Sequence, residues 1–349
     1  MTMKIFKILS INILILFVSI IGIEITFGYW FDPNNIGPYM REHRMKKNFY
    51  SLKYNDEVYE YVYKRNYFGF RGEETKLEKI KAVMIGGSTA DERYKPEEYT
   101  IVGYLNKKLS KNNINLKIVN AGIEGQSTLG HIYNFEVWFP KLNKFKPDYF
   151  IFYVGINDHI LNNTLEKSKD GHVLNPSKLE RFKDNFKSRS IFYDLLRKIK
   201  HKYYNKGKQV TYDFNKRIKE KKIEDFKFLN FEEAKKNFDI EKLKKENVSL
   251  IKNYLSNIDT LVNYSKLMNA KPIFINQLTE NGNYNKKLFI LNYSLISHCE
   301  KKGYSCIDLA KKLKGKQEYW WDGIHTTPKG SEKISELIFP EFLAIVGKN

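Results

Sequence analysis

The chain is predicted to fold as one α/β domain, a five-stranded parallel sheet with helices on both faces, behind a single N-terminal transmembrane helix. Two observations predict this. Five short apolar runs, "KAVMIG" (81 to 86), "LKIVNAG" (116 to 122), "PDYFIFYVG" (147 to 155), "AKPIFIN" (270 to 276) and "YSCIDL" (304 to 309), alternate with stretches of helical periodicity. Near-continuous apolar strands of that length belong to parallel sheets buried on both faces. Ahead of them, Ile8 to Ile23 is largely apolar and continues to Phe31 with Glu24 as its only charge.

A helix needs roughly 20 residues to cross the hydrocarbon of a bilayer, so Ile8 to Phe27 is long enough, with Tyr29 and Trp30 placed as an interfacial aromatic belt. Lys4 and Lys7 hold the amino end in the cytoplasm. A cleaved signal peptide is the rival reading, but no small-x-small site follows Ile23, which favours an uncleaved signal-anchor over residues 1–31. Either way the rest of the chain is exported, and a bacterial inner or cytoplasmic membrane is the expected location. Residues 32–80 are polar, aromatic and irregular, and are expected to form a stalk and a lead-in containing "RNYFGFRGEE". The domain itself is expected over 81–346.

Within that domain, helices are expected over Thr100 to Ser110, Val248 to Met268, Asn285 to Lys301 and Pro328 to Leu343. The second carries apolar residues at spacings of three and four: Leu250, Ile251, Tyr254, Leu255, Ile258, Leu261 and Val262. A Lys-rich stretch over about 163–246 is too long for a plain loop and is expected to be a helical insertion over or beside the site. Neither repeats nor a Gly/Ser linker divide the exported part.

The formal charge of +20 would suit nucleic acid, but only nine of the 60 basic residues are Arg, and the Lys excess accompanies abundant Asn, Ile, Tyr and Phe. Compositional bias explains that pattern, and export excludes nucleic acid; the charge suits anionic lipid or acidic glycan. Cys299 and Cys306, seven apart, are open to two readings, a disulfide in an oxidising compartment or two buried thiols. The histidines lack ligand spacing, so neither metal nor cofactor is expected.

The chemistry emerges when the strand ends are compared. "MIGGSTAD" puts Ser88 just past two glycines at a strand-to-helix turn. "NAGIEGQST" lets Gly125 bring a backbone N–H close to a ligand, and "VGIND" puts Asn157 off the carboxyl edge. Each block alone has a bland explanation as a turn or a helix cap, the expected role of Asp158. Together they converge, because ligands of open parallel sheets sit beyond the carboxyl ends of the strands. "YWWDGIHTTPKG" (319 to 330) then supplies a base. His325 can take the Ser88 proton, while Asp322 fixes the imidazole tautomer. The backbone N–H groups of Ser88 and Gly125 and the Asn157 amide can bond a developing oxyanion. Trp320 and Trp321, beside Asp322, are candidates to stack a sugar face, and Gln126 is a candidate pocket residue.

The blocks "GGST", "NAGIEGQST", "GIND" and "DGIH", in that order, resemble the SGNH (GDSL-type) hydrolases over about Lys81 to Val346, and "NYFGFRGEE" resembles the lead-in of membrane-anchored relatives. The resemblance implies a flavodoxin-like three-layer α/β/α fold, with Ser88 as nucleophile, Gly125 and Asn157 as oxyanion residues, and Asp322 and His325 completing a triad. One position departs. The family's first block usually reads Gly-Asp-Ser, and here Gly87 stands in place of the Asp.

Such enzymes cleave acyl esters of lipids, sugars and peptidoglycan, and some exported ones transfer acetyl groups. The expectation is therefore a serine esterase acting on O-acyl groups, foremost O-acetyl, of a cell-envelope polysaccharide. Two alternatives stand beside it: an acyltransferase using the same residues, and a non-catalytic glycan-binding protein on the same fold. A secreted lipase is disfavoured, since no long apolar stretch exists outside the anchor.

Overall fold

The structure, a computed structural model, describes residues 2–32, 35–37, 47–161, 178–204, 210–216 and 226–347. Helix α1 (Thr2–Phe27) contains a 23-residue apolar stretch, Ile5–Phe27, with none of it buried. At 1.5 Å per residue that spans about 34 Å, enough for the roughly 30 Å of hydrocarbon in a membrane. It is long and apolar enough to be a membrane anchor or a signal sequence.

The segment expected to be irregular contains a hairpin. Strands β1 (Lys47–Tyr54) and β2 (Glu57–Lys64) pair antiparallel along their whole length. The two residues between them, Asn55 and Asp56, have φ of 51° and 62°. That left-handed pair matches the twist of a two-residue hairpin, and Asn and Asp tolerate it. Part of the sequence signal was available, since "EVYEYVYK" is rich in the tyrosine and valine that favour strands.

The main sheet then begins. Strand β3 (Ala82–Gly86) is followed by the four-residue helix α2 (Ser88–Asp91), α3 (Ile101–Lys111), β4 (Ile118–Asn120), α4 (Thr128–Val137), β5 (Tyr149–Val154) and α5 (Ile156–Leu161). Next come α6 (Lys178–Arg189), α7 (Ile191–Tyr204), β6 (Val210–Asp213), α8 (Phe231–Asn237), α9 (Ile240–Glu246) and α10 (Val248–Leu267). The chain closes with β7 (Lys271–Asn276), α11 (Lys286–Lys302), β8 (Ser305–Ile307), α12 (Leu309–Lys312) and α13 (Pro328–Val346).

Five strands form one all-parallel sheet in the order β4-β3-β5-β7-β8. The chain moves from β3 to one side and then returns to the other, the flavodoxin-like order, which opens a crevice at the carboxyl ends of β3 and its neighbours. Alternate side chains enter two cores. Val83, Ile85, Phe150, Phe152 and Phe274 face α4 and α10, meeting Phe135, Ile258 and Leu261. Ala82, Met84, Ile151, Tyr153, Ile273 and Ile275 face α3 and α13, meeting Leu105, Ile334, Ile338 and Phe342. This period-two division of apolar strands is what a sheet covered on both faces requires.

The 163–246 stretch is in contact with the rest of the chain at several places. Strand β6 lies parallel to β1, completing a three-stranded sheet β2-β1-β6. Residues Leu229, Phe231, Ala234 and Leu243 pack with Phe289 and Ile290 of α11. Residues 163–177, 205–209 and 217–225 of it lie outside the described ones.

Cys299, near the end of α11, is disulfide-bonded to Cys306 in β8, with the Cα atoms 6.3 Å apart. The bond closes a short loop around Gly303, whose φ of 68° caps the helix. On loop-entropy grounds a closure of this size stabilises the fold by about 2–3 kcal/mol. Cys299→Ala should lower the thermal midpoint in calorimetry, and wild type measured with a strong reductant should approach the variant.

Candidate active site

Gly87 follows β3 and passes the chain into α2, whose first residue is Ser88. A side chain begins the helix where backbone N–H groups have no intrahelical partner. Far along the chain, the turn before α13 presents His325. Its Nε2 lies 2.9 Å from Ser88 Oγ, and its Nδ1 lies 2.7 Å from Asp322 Oδ2. A carboxylate only accepts, so Nδ1 carries the imidazole proton and Nε2 accepts from the Ser88 hydroxyl.

Asp322 also shapes the loop that bears it. Its Oδ1 accepts from the backbone N–H of Ile324 (2.8 Å) and of His325 (2.7 Å). Burial pushes this carboxyl up, but the His325 ring and the two backbone donors outweigh it, leaving Asp322 below the usual carboxylate range. The three-residue spacing thus lets one side chain fold the turn and orient the ring.

The other two strand ends converge beside Ser88. Gly155, with φ of 118°, turns the chain off β5 in a conformation open to glycine, and Asn157 follows in the first turn of α5. Asn157 Nδ2 donates to the Gln126 carbonyl at 2.7 Å. Gly125, at φ 79°, sits in the turn between β4 and α4. Asp158 is buried and caps a helix other than its own: Oδ1 accepts from Thr128 N (3.0 Å) and Thr128 Oγ1 (2.5 Å) at the start of α4. Its Oδ2 accepts from Gly155 N at 3.3 Å, so one carboxyl binds the exits of β4 and β5 together. Burial raises the Asp158 carboxyl.

Gly87 has a spatial reason to lack a side chain. A Cβ there would lie 2.2 Å from Asn157 Nδ2 and 3.1 Å from the Gln126 carbonyl. The departure from the usual Gly-Asp-Ser block is therefore matched to the position of the Asn157 amide.

Of the remaining expected residues, Trp321 stands at the site and Trp320 does not. Trp321 stacks on the His325 ring (5.9 Å, 27°) and on Phe214 (4.8 Å, 12°), in a cluster with Tyr94 and Tyr212. Trp320 is 3% exposed in the core between sheet and α13, with its backbone bridged to Thr326, so it offers no open face to a sugar. The Gln126 side chain is likewise occupied, exchanging amide hydrogen bonds of 3.0 Å with Asn134; its contribution near Asn157 is its carbonyl.

Several residues at the site were not singled out from the sequence. Tyr94 packs edge-on to His325 at 4.6 Å and donates to the Ser88 carbonyl at 3.0 Å. Phe214 and Tyr212 arrive from the 163–246 stretch. Most consequential is Lys95, 0% exposed, paired with Glu92 at 2.7 Å. Lys95 Nζ also donates to the carbonyls of Thr326 (2.7 Å) and Thr327 (3.2 Å). Glu92 accepts from Thr326 Oγ1 (3.0 Å), Ser331 Oγ (2.6 Å) and Ile101 N (2.6 Å). Burial holds the Lys95 amine below its usual value, against the pull of the Glu92 charge. Glu and Lys are seldom fully buried unless paired; here Glu92 and Lys95 are, and they bind the stretch after Ser88 to the stretch after His325.

The lead-in supplies a second clamp. Buried Arg65 pairs with Asp91 at 3.0 Å and donates twice to the Gly122 carbonyl at 2.9 Å, while Tyr63 donates to Asp91 at 3.0 Å. Arg71 donates to the carbonyls of Asp91 and Lys95, the latter at 2.8 Å. Among the described residues no group of three or more His, Cys, Asp or Glu could hold a metal ion.

Two outcomes follow from these packings. Gly87→Ala should leave thermal stability near wild type while displacing the Asn157 amide, and ester turnover should fall by about 10²-fold, the usual effect of losing one oxyanion donor. Lys95→Met should cost about 3–5 kcal/mol in chemical denaturation, because it strands the buried Glu92 carboxylate. The double variant Lys95→Met/Glu92→Gln should recover part of that loss.

The chain is similar to known proteins in its sequence profile and in its fold. The profile of the GDSL-like lipase/acylhydrolase family matches residues 82–338, which is 257 of the 349 residues. Among solved structures the fold is similar to that of TesA, with 12% identity over 76% of this chain and 99% of that one and a TM-score of 0.40. It is also similar to an acetyl-xylooligosaccharide esterase, Axe2, of Geobacillus (14% identity, 77% and 94% covered, TM-score 0.41). A GDSL-like lipase of Bacteroides thetaiotaomicron gives 12% identity, 78% and 93% coverage and a TM-score of 0.40. No curated protein matches the sequence. With the family's profile running from β3 into α13, the chain belongs to the GDSL-like lipase/acylhydrolase family, the SGNH hydrolases, and is a serine ester hydrolase.

Proposed function

We propose that this protein is an extracytoplasmic, membrane-anchored esterase that removes O-acyl groups, foremost O-acetyl, from a cell-envelope polysaccharide of a bacterium. The observation that carries the catalytic part is the unbroken hydrogen-bond chain from Asp322 through His325 to Ser88 Oγ. Ser88 Oγ attacks the ester carbonyl carbon as its proton passes to His325 Nε2, and Asp322 stabilises the imidazolium that forms. The resulting oxyanion lies toward the backbone N–H groups of Ser88 and Gly125 and the Asn157 amide. That amide has two N–H groups, and one is committed to the Gln126 carbonyl. The other is left for the substrate oxygen.

Collapse of the tetrahedral intermediate expels the sugar hydroxyl, which takes the proton back from His325, and leaves an acyl-Ser88 ester. Water, deprotonated by His325, then releases the carboxylic acid. The envelope setting is supported by α1, by the Cys299–Cys306 disulfide, which suits an oxidising compartment, and by the +20 charge, which suits an anionic surface. A carbohydrate substrate is supported by the aromatic wall of Trp321, Tyr94 and Tyr212 beside His325. Of the two tryptophans, Trp321 is the one that belongs to this wall.

The test compares wild type and Ser88→Ala on p-nitrophenyl acetate and on O-acetylated glycans, with acetate release measured. A fall of at least about 10³-fold is expected for the variant, together with loss of fluorophosphonate labelling. Equal rates would sink the esterase reading, and an acetylated product built on an added acceptor sugar would turn it into an acyltransferase.

A further inference from the structure

Glu24 is the one acidic residue in the apolar stretch Ile5–Phe27, and its carboxylate has a specific use. It lies one turn before the end of α1, about 4.5 Å short of Phe27 along the helix axis. Its oxygens accept from Ser190 Oγ, from Ile191 N (3.1 Å) and from Phe192 N (3.4 Å), capping the start of α7, and from Trp30 Nε1 at 3.0 Å. Further ties join the same places. Tyr29 N donates to the Arg189 carbonyl at 2.8 Å, and the Trp30 ring meets Phe186 edge-on at 5.4 Å. The bend between α6 and α7, which is the single residue Ser190, is thereby fixed to the outer end of α1.

Both helices carry apolar stripes that, apart from the Trp30 contact with Phe186, nothing in the described structure covers. On α6, Leu179, Phe182 and Phe186 fall at i, i+3 and i+7 and are 61%, 68% and 47% exposed. On α7, Leu195, Leu196 and Ile199 are 50%, 64% and 42% exposed. Residues 178–200 contain eight Lys or Arg against three Asp or Glu, and Asp194 is already bonded to Arg197 and Lys198. An apolar stripe flanked by surplus cations is the pattern of a helix lying in a membrane interface.

We infer that α6 and α7 form an interfacial hairpin seated on the outer surface of an anionic bilayer, inserting Leu179, Phe182, Phe186, Leu195, Leu196 and Ile199 among the lipid headgroups and upper acyl chains. This rests on the reading of α1 as a membrane anchor and extends it from one span to a span plus an in-plane platform. Lipid is the occupant because the stripe continues the exposed surface of α1 through Trp30 and Phe186, at the depth where α1 leaves the hydrocarbon. The lysines and arginines beside it would each gain attraction from anionic headgroups. With α1 and the bend of the hairpin held by the same Glu24 carboxylate, the hairpin fixes how the anchor's end is oriented at the surface.

The full-length protein, reconstituted into vesicles of phosphatidylcholine and phosphatidylglycerol, tests this with an environment-sensitive fluorophore on single introduced cysteines. The positions are Phe182→Cys, Leu196→Cys, Leu14→Cys in α1 and Lys111→Cys on the exposed end of α3, with p-nitrophenyl acetate turnover as the check on folding. Labels at 182 and 196 should lose emission to shallow doxyl-labelled lipid, the label at 14 to deep-chain doxyl lipid, and the label at 111 to neither. Quenching at 14 without quenching at 182 and 196 overturns the platform and leaves the anchor standing. Blue-shifted but unquenched labels at 182 and 196 mean that protein covers the stripe and also overturn it. Absence of quenching at 14 removes the anchor reading and the platform with it.

Discussion

A carboxylate and an ammonium buried together behind the Ser88 turn hold the two halves of the site in register. Ser88 and His325 stand 237 residues apart in the chain, yet their side chains meet at 2.9 Å. That distance depends on where the turn before α13 sits relative to the turn after β3. Glu92 and Lys95 bind the one to the other through Thr326, Thr327 and Ser331. Neither charge reaches water, so each depends on the other and on the hydrogen bonds around them. A network satisfied at every member is stiff, and stiffness is what an orienting hydrogen bond needs.

The same economy recurs around the crevice. Asp158 fastens the exits of β4 and β5, Arg65 and Arg71 fasten those of β3 and β4, and Asp322 folds its own loop while orienting His325. Four turns at the carboxyl edge of one sheet are thereby joined by buried charges instead of being left as mobile loops. Gly87 belongs to this arrangement, because the space it leaves empty is where the Asn157 amide reaches the Gln126 carbonyl. The aromatic wall is assembled differently: Trp321, Tyr94, Tyr212 and Phe214 come from three separate stretches, and the small sheet β2-β1-β6 is what brings Tyr212 and Phe214 to the other two.

Much of the frame was legible in the residues. The runs at 81–86, 116–122, 147–155, 270–276 and 304–309 each contain one strand of the parallel sheet, because apolar strands buried on both faces leave a signal that needs no partner to be read. The helix expected from Thr100 begins at Ile101 with Thr100 as its cap, and the one expected from Pro328 begins there with Thr327 as its cap. The β1–β2 hairpin was missed because its residues are tyrosine-rich and half-exposed, so alternation is weak and the Asn-Asp turn carries no glycine. Trp320 was misplaced for a related reason: adjacent tryptophans in a loop give no indication of which one turns inward.

Composition and local pattern alone determined the class of fold, the apolar N-terminal helix and the chemical types gathered at the strand ends, because each depends on periodicity or on residue identity over a few positions. Only the tertiary structure decided that Cys299 and Cys306 are joined, that Gly87 leaves room for an amide, and that Glu92, Lys95, Arg65 and Arg71 are interior. These are facts of distance between segments remote in sequence. A charged side chain is read as exposed until the fold brings its partner to it, and no local pattern records where that partner is.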